Sequence, residues 1–339
     1  MRVGIPQALL YHYYMPLWRE LFEALGCEVV FSGDTNKGVV NQGVRVSVPE
    51  ICVPIKIFNG HIIELEKKEV EYIFVPRMVS VEDGLTFCPK FLGLPDMLRY
   101  TFPELKGKVI SPDIRDSSAD MADMDAWRSD PFFAQFPYWK FRDAMIHAQE
   151  CWFRYREICR RGYLANQAMK LYKAPALPDP VPMDKSVTIG LIGYVYDIYD
   201  PFVSMDVGKR IQEQGANVQT FEMLSDEAIH QEIDPMKKTL FWTFSNKVLG
   251  AGQHFYKDPN IDGIIHVTAF GCGPDSLVGK FQELDSDTYK KPFMTVRVDE
   301  HTGENHLQTR IEAFVDMLKK KKLKEARMAA AAQAQQETA

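Results

Sequence analysis

The sequence predicts an α/β protein built from two doubly wound, parallel-sheet (Rossmann-like) domains joined by a helical bridging segment. Three observations predict it. Short β-branched runs alternate with amphipathic helical patterns over residues 1–112, a proline-rich stretch interrupts the chain near residue 180, and the same alternation restarts at residue 185. The boundaries read this way are an N-terminal α/β domain at 1–112, a helical bridge at 113–173 and a linker at 174–184. A C-terminal α/β domain at 185–322 and a low-complexity tail at 323–339 follow.

In chain order, "RVGIP" (2–6) is a first strand. The next segment places Leu10, Tyr14, Leu17, Leu21 and Leu25 at steps of three and four, the apolar stripe of a helix that Gly26 stops. "CEVVFS" is a strand, a short helical stretch starts near residue 35, and "CVPIKIFNGHIIELEKK" is a helix. "VEYIFVPRMVS" reads as one strand, "CPKFLGLPDMLRY" as a helix and "GKVISP" as a strand. The aromatic and charged stretch to about residue 172 predicts helices packing over or between the domains. "APALPDPVP" carries four prolines and predicts a stiff linker. Beyond it, "SVTIGLIGYV" is a strand, "DPFVSMDVGKRIQEQG" a helix and "ANVQTFEM" a strand, with helical stretches to about residue 256. "IDGIIHVTAF" is a buried strand, followed by a helix, the strand "PFMTVRVD" and a last helix with Leu307, Ile311, Phe314 and Leu318 on one face. The tail is a charge run fading into Ala/Gln repeats, a solvated helix end.

Composition narrows the function classes. The 339 residues are 46% hydrophobic and 25% charged, ordinary for a globular protein with room for two cores. A net charge of −6 argues against a nucleic-acid binder, which shows a basic stripe. The first 26 residues hold no uninterrupted apolar run, which predicts neither a signal peptide nor a membrane span, and hence a cytoplasmic protein. In that compartment the six cysteines (27, 52, 88, 151, 159, 272) are thiols or metal ligands rather than disulfides.

"AFGCGPDSLVGK" nearly spells a phosphate-binding loop, but Pro274 stands where glycine is needed and Phe281 where Ser or Thr must reach Mg²⁺. Gly190 and Gly193 do not match the dinucleotide fingerprint, and read as a strand ending in a tight turn. No C-x-x-C pair or H-E-x-x-H is present. His301 and His306 are spaced five apart, off the helical repeat that puts two ligands on one face, so they read as a polar loop.

Among the cysteines, Cys27 reads as a small buried hydrophobe, and Cys151 and Cys159 as packing residues of a helix. Cys52, Cys88 and Cys272 differ. Each stands at or just before a helix start, with Pro54, Pro89 or Pro274 one or two residues later. At that position the positive helix end favours a thiolate. Two readings stand side by side: a shared metal site, or three helix-capping thiols that never meet. A weak internal repeat adds that residues 71–100 and 262–284 both run strand, loop, Cys, Pro, helix, which puts Cys88 and Cys272 beyond strand carboxyl ends, the ligand-binding edge of open α/β sheets.

The strings "VPEICVPIKIFNGHI", "YIFVPRMVSVE", "FCPKFLGLPDMLR", "AFGCGPDSLVGK" and "VDEHTGE" with "LQTRIEAFVDML" closely resemble the acyl-CoA dehydratase activase-related proteins, also described as the uncharacterised domain of CoA-enzyme activases. These are distantly similar to subunits of 2-hydroxyacyl-CoA dehydratases, and the resemblance spans both α/β halves. It implies a [4Fe–4S] cluster held by Cys52, Cys88 and Cys272 between the domains, with one iron open to substrate or solvent. It also implies a partner, an actin-like ATPase activator with its own iron–sulfur cluster, which delivers low-potential electrons. Glycines 271 and 273 would let backbone approach the cluster. The polar residues near the cluster would be Lys56 and His61 on the helix after Cys52, Lys90 after Cys88, and Glu300, His301 and Glu304 from the loop after the last strand. An acyl-CoA or other small substrate follows from the same resemblance, and an electron there would make a thioester a ketyl radical. The alternatives are a non-catalytic electron-transfer or assembly subunit, and a cluster-free α/β binding module. No catalytic acid or base carries over. Three ligands also leave a position that a neighbouring copy in a homo-oligomer could fill.

Overall fold

The N-terminal half runs β1 (Arg2–Ile5), α1 (Tyr11–Ala24), β2 (Glu28–Phe31), α2 (Lys37–Val46), α3 (Val53–Lys67) and β3 (Tyr72–Phe74). It continues through β4 (Arg77–Val81), α4 (Pro89–Leu92), α5 (Leu94–Thr101), β5 (Val109–Ile110) and β6 (Asp113–Asp116). These come from a computed structural model that describes residues 1–236, 238–300 and 304–337, the side chains of 304–306, 332 and 334–337 excepted. Four strands form a parallel sheet in the order β2-β1-β3-β5.

The run read as one strand, "VEYIFVPRMVS", is two. Pro76 and Pro112 stand at matching places in neighbouring strands, and neither has an N–H for the ladder. The ladder therefore breaks in both chains at once and resumes as the parallel pair β4–β6, with Val75 N–H donating to Ile110 (2.9 Å) and Arg77 N–H to Pro112 (3.0 Å). Residues 113–116, read as the start of the helical bridge, are accordingly a strand.

Beyond β6 come α6 (Met124–Arg128), α7 (Pro131–Ala134), α8 (Tyr138–Arg160) and α9 (Ala165–Leu171). Helix α8 docks on α1, and the sequence of α1 explains how. Pro16 lies inside α1 and cannot donate to the carbonyl four residues back, at His12. That carbonyl is buried and needs a partner, which the Tyr155 hydroxyl of α8 supplies at 2.9 Å. Trp152 Nε1 donates to the adjacent Tyr13 carbonyl at 3.0 Å, and the Tyr14 and Trp152 rings stack at 5.7 Å.

The C-terminal half repeats the first: β7 (Thr188–Ile192), α10 (Val195–Tyr199), α11 (Val207–Glu213), β8 (Asn217–Thr220), α12 (Asp226–Ile233) and α13 (Thr243–Lys257). Then follow β9 (Gly263–Ala269), α14 (Gly273–Tyr289), β10 (Phe293–Val298) and α15 (Glu304–Glu337). Its parallel sheet has the order β10-β9-β7-β8, and β7 and β9 are buried along their whole length. In both halves the second strand lies on one side of the first and the third on the other. The carboxyl edge at that reversal is where such sheets hold ligands.

Residues 200–215, read as one helix, are a turn followed by α11. Asp200 Oδ1 accepts the N–H groups of Phe202 and Val203, both at 3.0 Å, which fixes a turn in competition with a helix. Met205 and Asp206 then adopt left-handed φ of 50° and 54° before α11 starts. At the other end, Leu307, Ile311, Phe314 and Leu318 are buried as their spacing predicts, and α15 continues into an exposed tail. Among the described residues, no helix is long and apolar enough to cross a membrane.

Candidate functional site

Cys52, Cys88 and Cys272 each occupy the N-cap of a helix, α3, α4 and α14, with proline at the first or second helical position. All three have extended backbone there, with φ of −62°, −63° and −85°. The N-cap residue is the last one outside the helix and its side chain faces the free N–H groups of the first turn.

Contacts between the halves bring these helix starts together. The loop from β4 to Cys88 is tied to the C-terminal half by backbone: Thr86 N–H donates to Phe241 (2.9 Å) and Thr243 N–H to Thr86 (3.0 Å). His230 Nε2 and Glu82 Oε1 meet at 2.8 Å alongside. Helix α3 is set first by its close crossing with α2, where a Cβ at Gly43 would overlap the Lys56 carbonyl and one at Gly60 the Val39 carbonyl. It then reaches the other half through Lys56 Nζ, 2.8 Å from Glu300 Oε1, with the lysine side chain only 7% exposed. Gly271, in the loop after β9, has φ +81°, and its hydrogen-only face rests on Cys52; a Cβ there would lie 3.4 Å from the Cys52 Cα.

Cys52 thus lies near both Cys88 and Cys272, although among the described residues the three sulfurs are not all within 4.8 Å of one another. Cys88 is close enough to raise the Cys52 pKa, and Cys52 to raise that of Cys272. Tyr194 and Tyr196, just after β7, feel both Cys272 and Cys88, with their rings 5.4 Å apart. Tyr194 Oη is 2.7 Å from Ser245 Oγ, and the Tyr196 ring lies 6.3 Å from that of Phe91 on α4.

Electrostatics at the site depart from the helix-dipole expectation. Burial pushes Cys52 up to about 11 and raises Cys88 and Cys272 as well. The N–H of Ile55 opposes the rise at Cys52, those of Phe91 and Lys90 at Cys88, and that of Asp275 at Cys272, without closing a formed cap bond. Desolvation wins, so the metal-free thiols are protonated at neutral pH, and a metal binding there must release their protons. The exposed Lys90 ammonium favours the thiolates of both Cys52 and Cys88.

A buried polar group underlies the Cys272 loop. His266 Nε2 and Asp275 Oδ1 meet at 3.0 Å, and both side chains are fully buried. Among the described residues, Asp275 Oδ2, His266 Nδ1, Thr268 Oγ1 and both Asp197 carboxyl oxygens lack a well-formed hydrogen bond, although the Ala269 backbone lies close enough to Asp197 to favour its charge. Burial, then the nearby Asp275 and Asp200, raise the Asp197 pKa well above its ordinary value, and Asp197 in turn raises that of Cys272. Buried polar atoms left open in this way mark a place where water or a ligand group completes the bonding.

The other residues singled out from sequence divide. Lys90 faces the thiols, and Lys56 and Glu300 pair with each other across the halves. His61 is not part of the thiol locus: it is fully buried, with Nδ1 2.8 Å from Ser32 Oγ and Nε2 2.8 Å from Thr35 Oγ1. Gly273 has open space around its Cα. His301 and the Glu304 side chain lie outside the described residues. Cys27 and Cys159 are buried packing residues, as read, whereas Cys151 is only partly buried. Sequence reasoning missed Tyr194, Tyr196, Asp197 and Asp275. Their signal was present in "YVYDIYD", directly after the first strand of the second half, and in the last letter of "GCGPD".

An α/β protein with cysteine-capped helices converging between two parallel sheets is the class that fold and site define. Residues 2–224 match the family described as the CoA enzyme activase uncharacterised domain, and the chain belongs to that family. The matched region includes Cys52 and Cys88 and ends before Cys272. No curated protein matches the chain.

Proposed function

We propose that this protein holds a [4Fe–4S] cluster on Cys52, Cys88 and Cys272, and that it takes low-potential electrons from an ATP-dependent activator and delivers them to a substrate or partner. The observation that carries the reading is the meeting of three proline-flanked N-cap cysteines from both halves at one locus. The donor set fits the group. Three thiols, with first-turn N–H groups behind them, supply the sulfur ligands and N–H dipoles that bind and tune such clusters.

Bound there, the cluster would supply one-electron chemistry, with three protein ligands leaving one iron open. The chain's own residues have separate tasks. Tyr194 and Tyr196 wall the locus beside Cys272 and Cys88, Lys90 offsets its negative charge, and Asp197 lies close to Cys272. Membership of a CoA enzyme activase family suits electron delivery to an acyl-CoA enzyme.

The test is anaerobic purification and reconstitution, with iron and sulfide analysis and EPR of the dithionite-reduced protein. The reading expects cluster signals in the native chain and in Cys151→Ala, and their loss in Cys272→Ala. A chain that takes up no iron or sulfide, or a cluster that survives Cys272→Ala and disappears in Cys151→Ala, overturns it. Turnover of an acyl-CoA by the reduced protein with its activator separates an enzyme from an electron-transfer subunit.

A further inference from the structure

The packing of α8 on α1 creates a second group of potential ligands that shares no residue with the thiol locus. His147 and Cys151 are four residues apart on α8, hence on one face and one turn apart. Glu20 comes from α1. Nε2 of His147, Sγ of Cys151 and a carboxylate oxygen of Glu20 all lie within 4.8 Å of one another. We propose that Glu20, His147 and Cys151 form a zinc-type site for a divalent transition metal, with solvent completing the coordination.

The spacing suits a tetrahedral ion. Zn–N and Zn–O bonds near 2.0–2.1 Å and Zn–S near 2.3 Å put tetrahedral neighbours about 3.4 Å apart for N and O and about 3.6 Å for N and S. The structure has His147 Nε2 3.4 Å from Glu20 Oε2 and 3.8 Å from Cys151 Sγ. The ligand geometry is thus nearly formed by the helix packing alone.

The surroundings orient the carboxylate. The Tyr172 hydroxyl donates to Glu20 Oε1 at 2.6 Å, and Lys173 Nζ lies 2.6 Å from the same oxygen. Both leave Oε2, the oxygen beside His147, for a metal. Outer partners of this kind fix a ligating carboxylate, and Lys173 also offsets charge when the thiol ionises. Glu20 is only 5% exposed and so preorganised, while the His147 side chain is 52% exposed, which gives an ion access. Trp152 and Tyr155, which tie α8 to the α1 backbone, sit within one or two turns of Cys151 and hold both ligand-bearing helices in place.

The ion pairs of Glu20 are the competing explanation for the cluster, and metal titration separates the two. The reduced full-length protein is titrated with Co²⁺ and then Zn²⁺ under anaerobic conditions. The expected result is a thiolate-to-cobalt charge-transfer band with tetrahedral d–d intensity, displaced by Zn²⁺. That band should vanish in Cys151→Ser, weaken in His147→Ala and persist in Cys272→Ala. Tyr172→Phe, which leaves every ligand in place, should weaken cobalt binding by about tenfold, in line with the roughly 10–100-fold cost of losing an outer partner. No band in the native chain, or a band that survives Cys151→Ser when the thiol locus is disabled by Cys52→Ala, Cys88→Ala and Cys272→Ala, overturns the site. Because Cys272→Ala and Cys151→Ser report on different loci, loss of the iron cluster and loss of this site are read independently.

Discussion

Gly271 rests on Cys52, so the loop that carries Cys272 reaches the first cysteine-capped helix with no side chain between them. Its φ of +81° is in the left-handed region, which an L side chain adopts at a cost of about 1–2 kcal/mol. Gly271→Ala adds to that strain a methyl 3.4 Å from the Cys52 Cα. The expected outcome is a fall of about 1–2 kcal/mol in stability by denaturant titration, with reduced iron incorporation. Gly273→Ala is the control. A Cβ there meets open space at the start of a helix, so stability should hold or rise by up to about 1 kcal/mol.

The Lys56–Glu300 pair spans the two halves at 2.8 Å, with side chains 7% and 19% exposed. Removing the carboxylate leaves a buried ammonium without its hydrogen-bonded partner. Glu300→Ala is expected to cost about 1.5–3 kcal/mol, the range for a hydrogen bond to a charged group. Glu300→Gln, which retains an acceptor, should cost less than Glu300→Ala in the same chemical denaturation measurement.

Much of this architecture is legible in the sequence, because parallel α/β halves write their strands as apolar runs and their helices as apolar stripes. Pro76 and Pro112 were equally visible, but only the register of β3 against β5 shows that they break one ladder together. Asp200 is a good helix-start residue whose side chain holds a turn instead. The Cys-Pro pattern located the helix caps, yet the sign of the thiol shifts depends on burial, a tertiary property that outweighs the local dipole. His147 and Cys151 had the right helical spacing, but Glu20 joins them only through the packing of α1 on α8. His61 lies on the Cys52 helix and turns away from the thiols because its face of α3 packs under Ser32 and Thr35.

Asp226 is the counter-charge for two buried cations. It lies 2.8 Å from Lys247 Nζ and 3.8 Å from Arg156 Nη2, whose side chains are 7% and 3% exposed. Burial alone would raise its pKa, but Lys247 and Arg156 hold it down to about 2. Asp226→Asn is therefore expected to cost about 2–4 kcal/mol, below the full cost of breaking an enclosed pair because Asp226 is itself partly exposed. The carboxylate's contribution is present above its unfolded pKa, about 3.9, and is lost as pH falls towards about 2. Acid unfolding profiles of native chain and variant should accordingly converge in that window.

A buried chain of polar groups links the halves and gives the strongest pH signature. Ser32 Oγ accepts the Gln7 N–H and donates to His61 Nδ1; His61 Nε2–H then donates to Thr35, and Thr35 Oγ1–H donates to Asp200 Oδ2. This sense of bonding requires neutral His61, and burial does lower its pKa to about 4. Burial also lowers His12 to about 3, with His61 adding to the effect. Both imidazoles bind protons in the unfolded chain below about 6.5, so each draws stability down as pH falls from there. Asp200 acts in the opposite sense. Burial raises it to about 6, so the folded chain takes up its proton between about 6 and 3.9 and offsets one histidine. Asp200→Asn removes that offset. Between pH 6 and 4, the variant's unfolding free energy should fall more steeply than the native chain's by about 1.4 kcal/mol per pH unit, the slope of one linked proton. Chemical denaturation at a series of pH values reads the slope directly, and equal slopes would show that Asp200 keeps an ordinary carboxylate pKa in the folded protein.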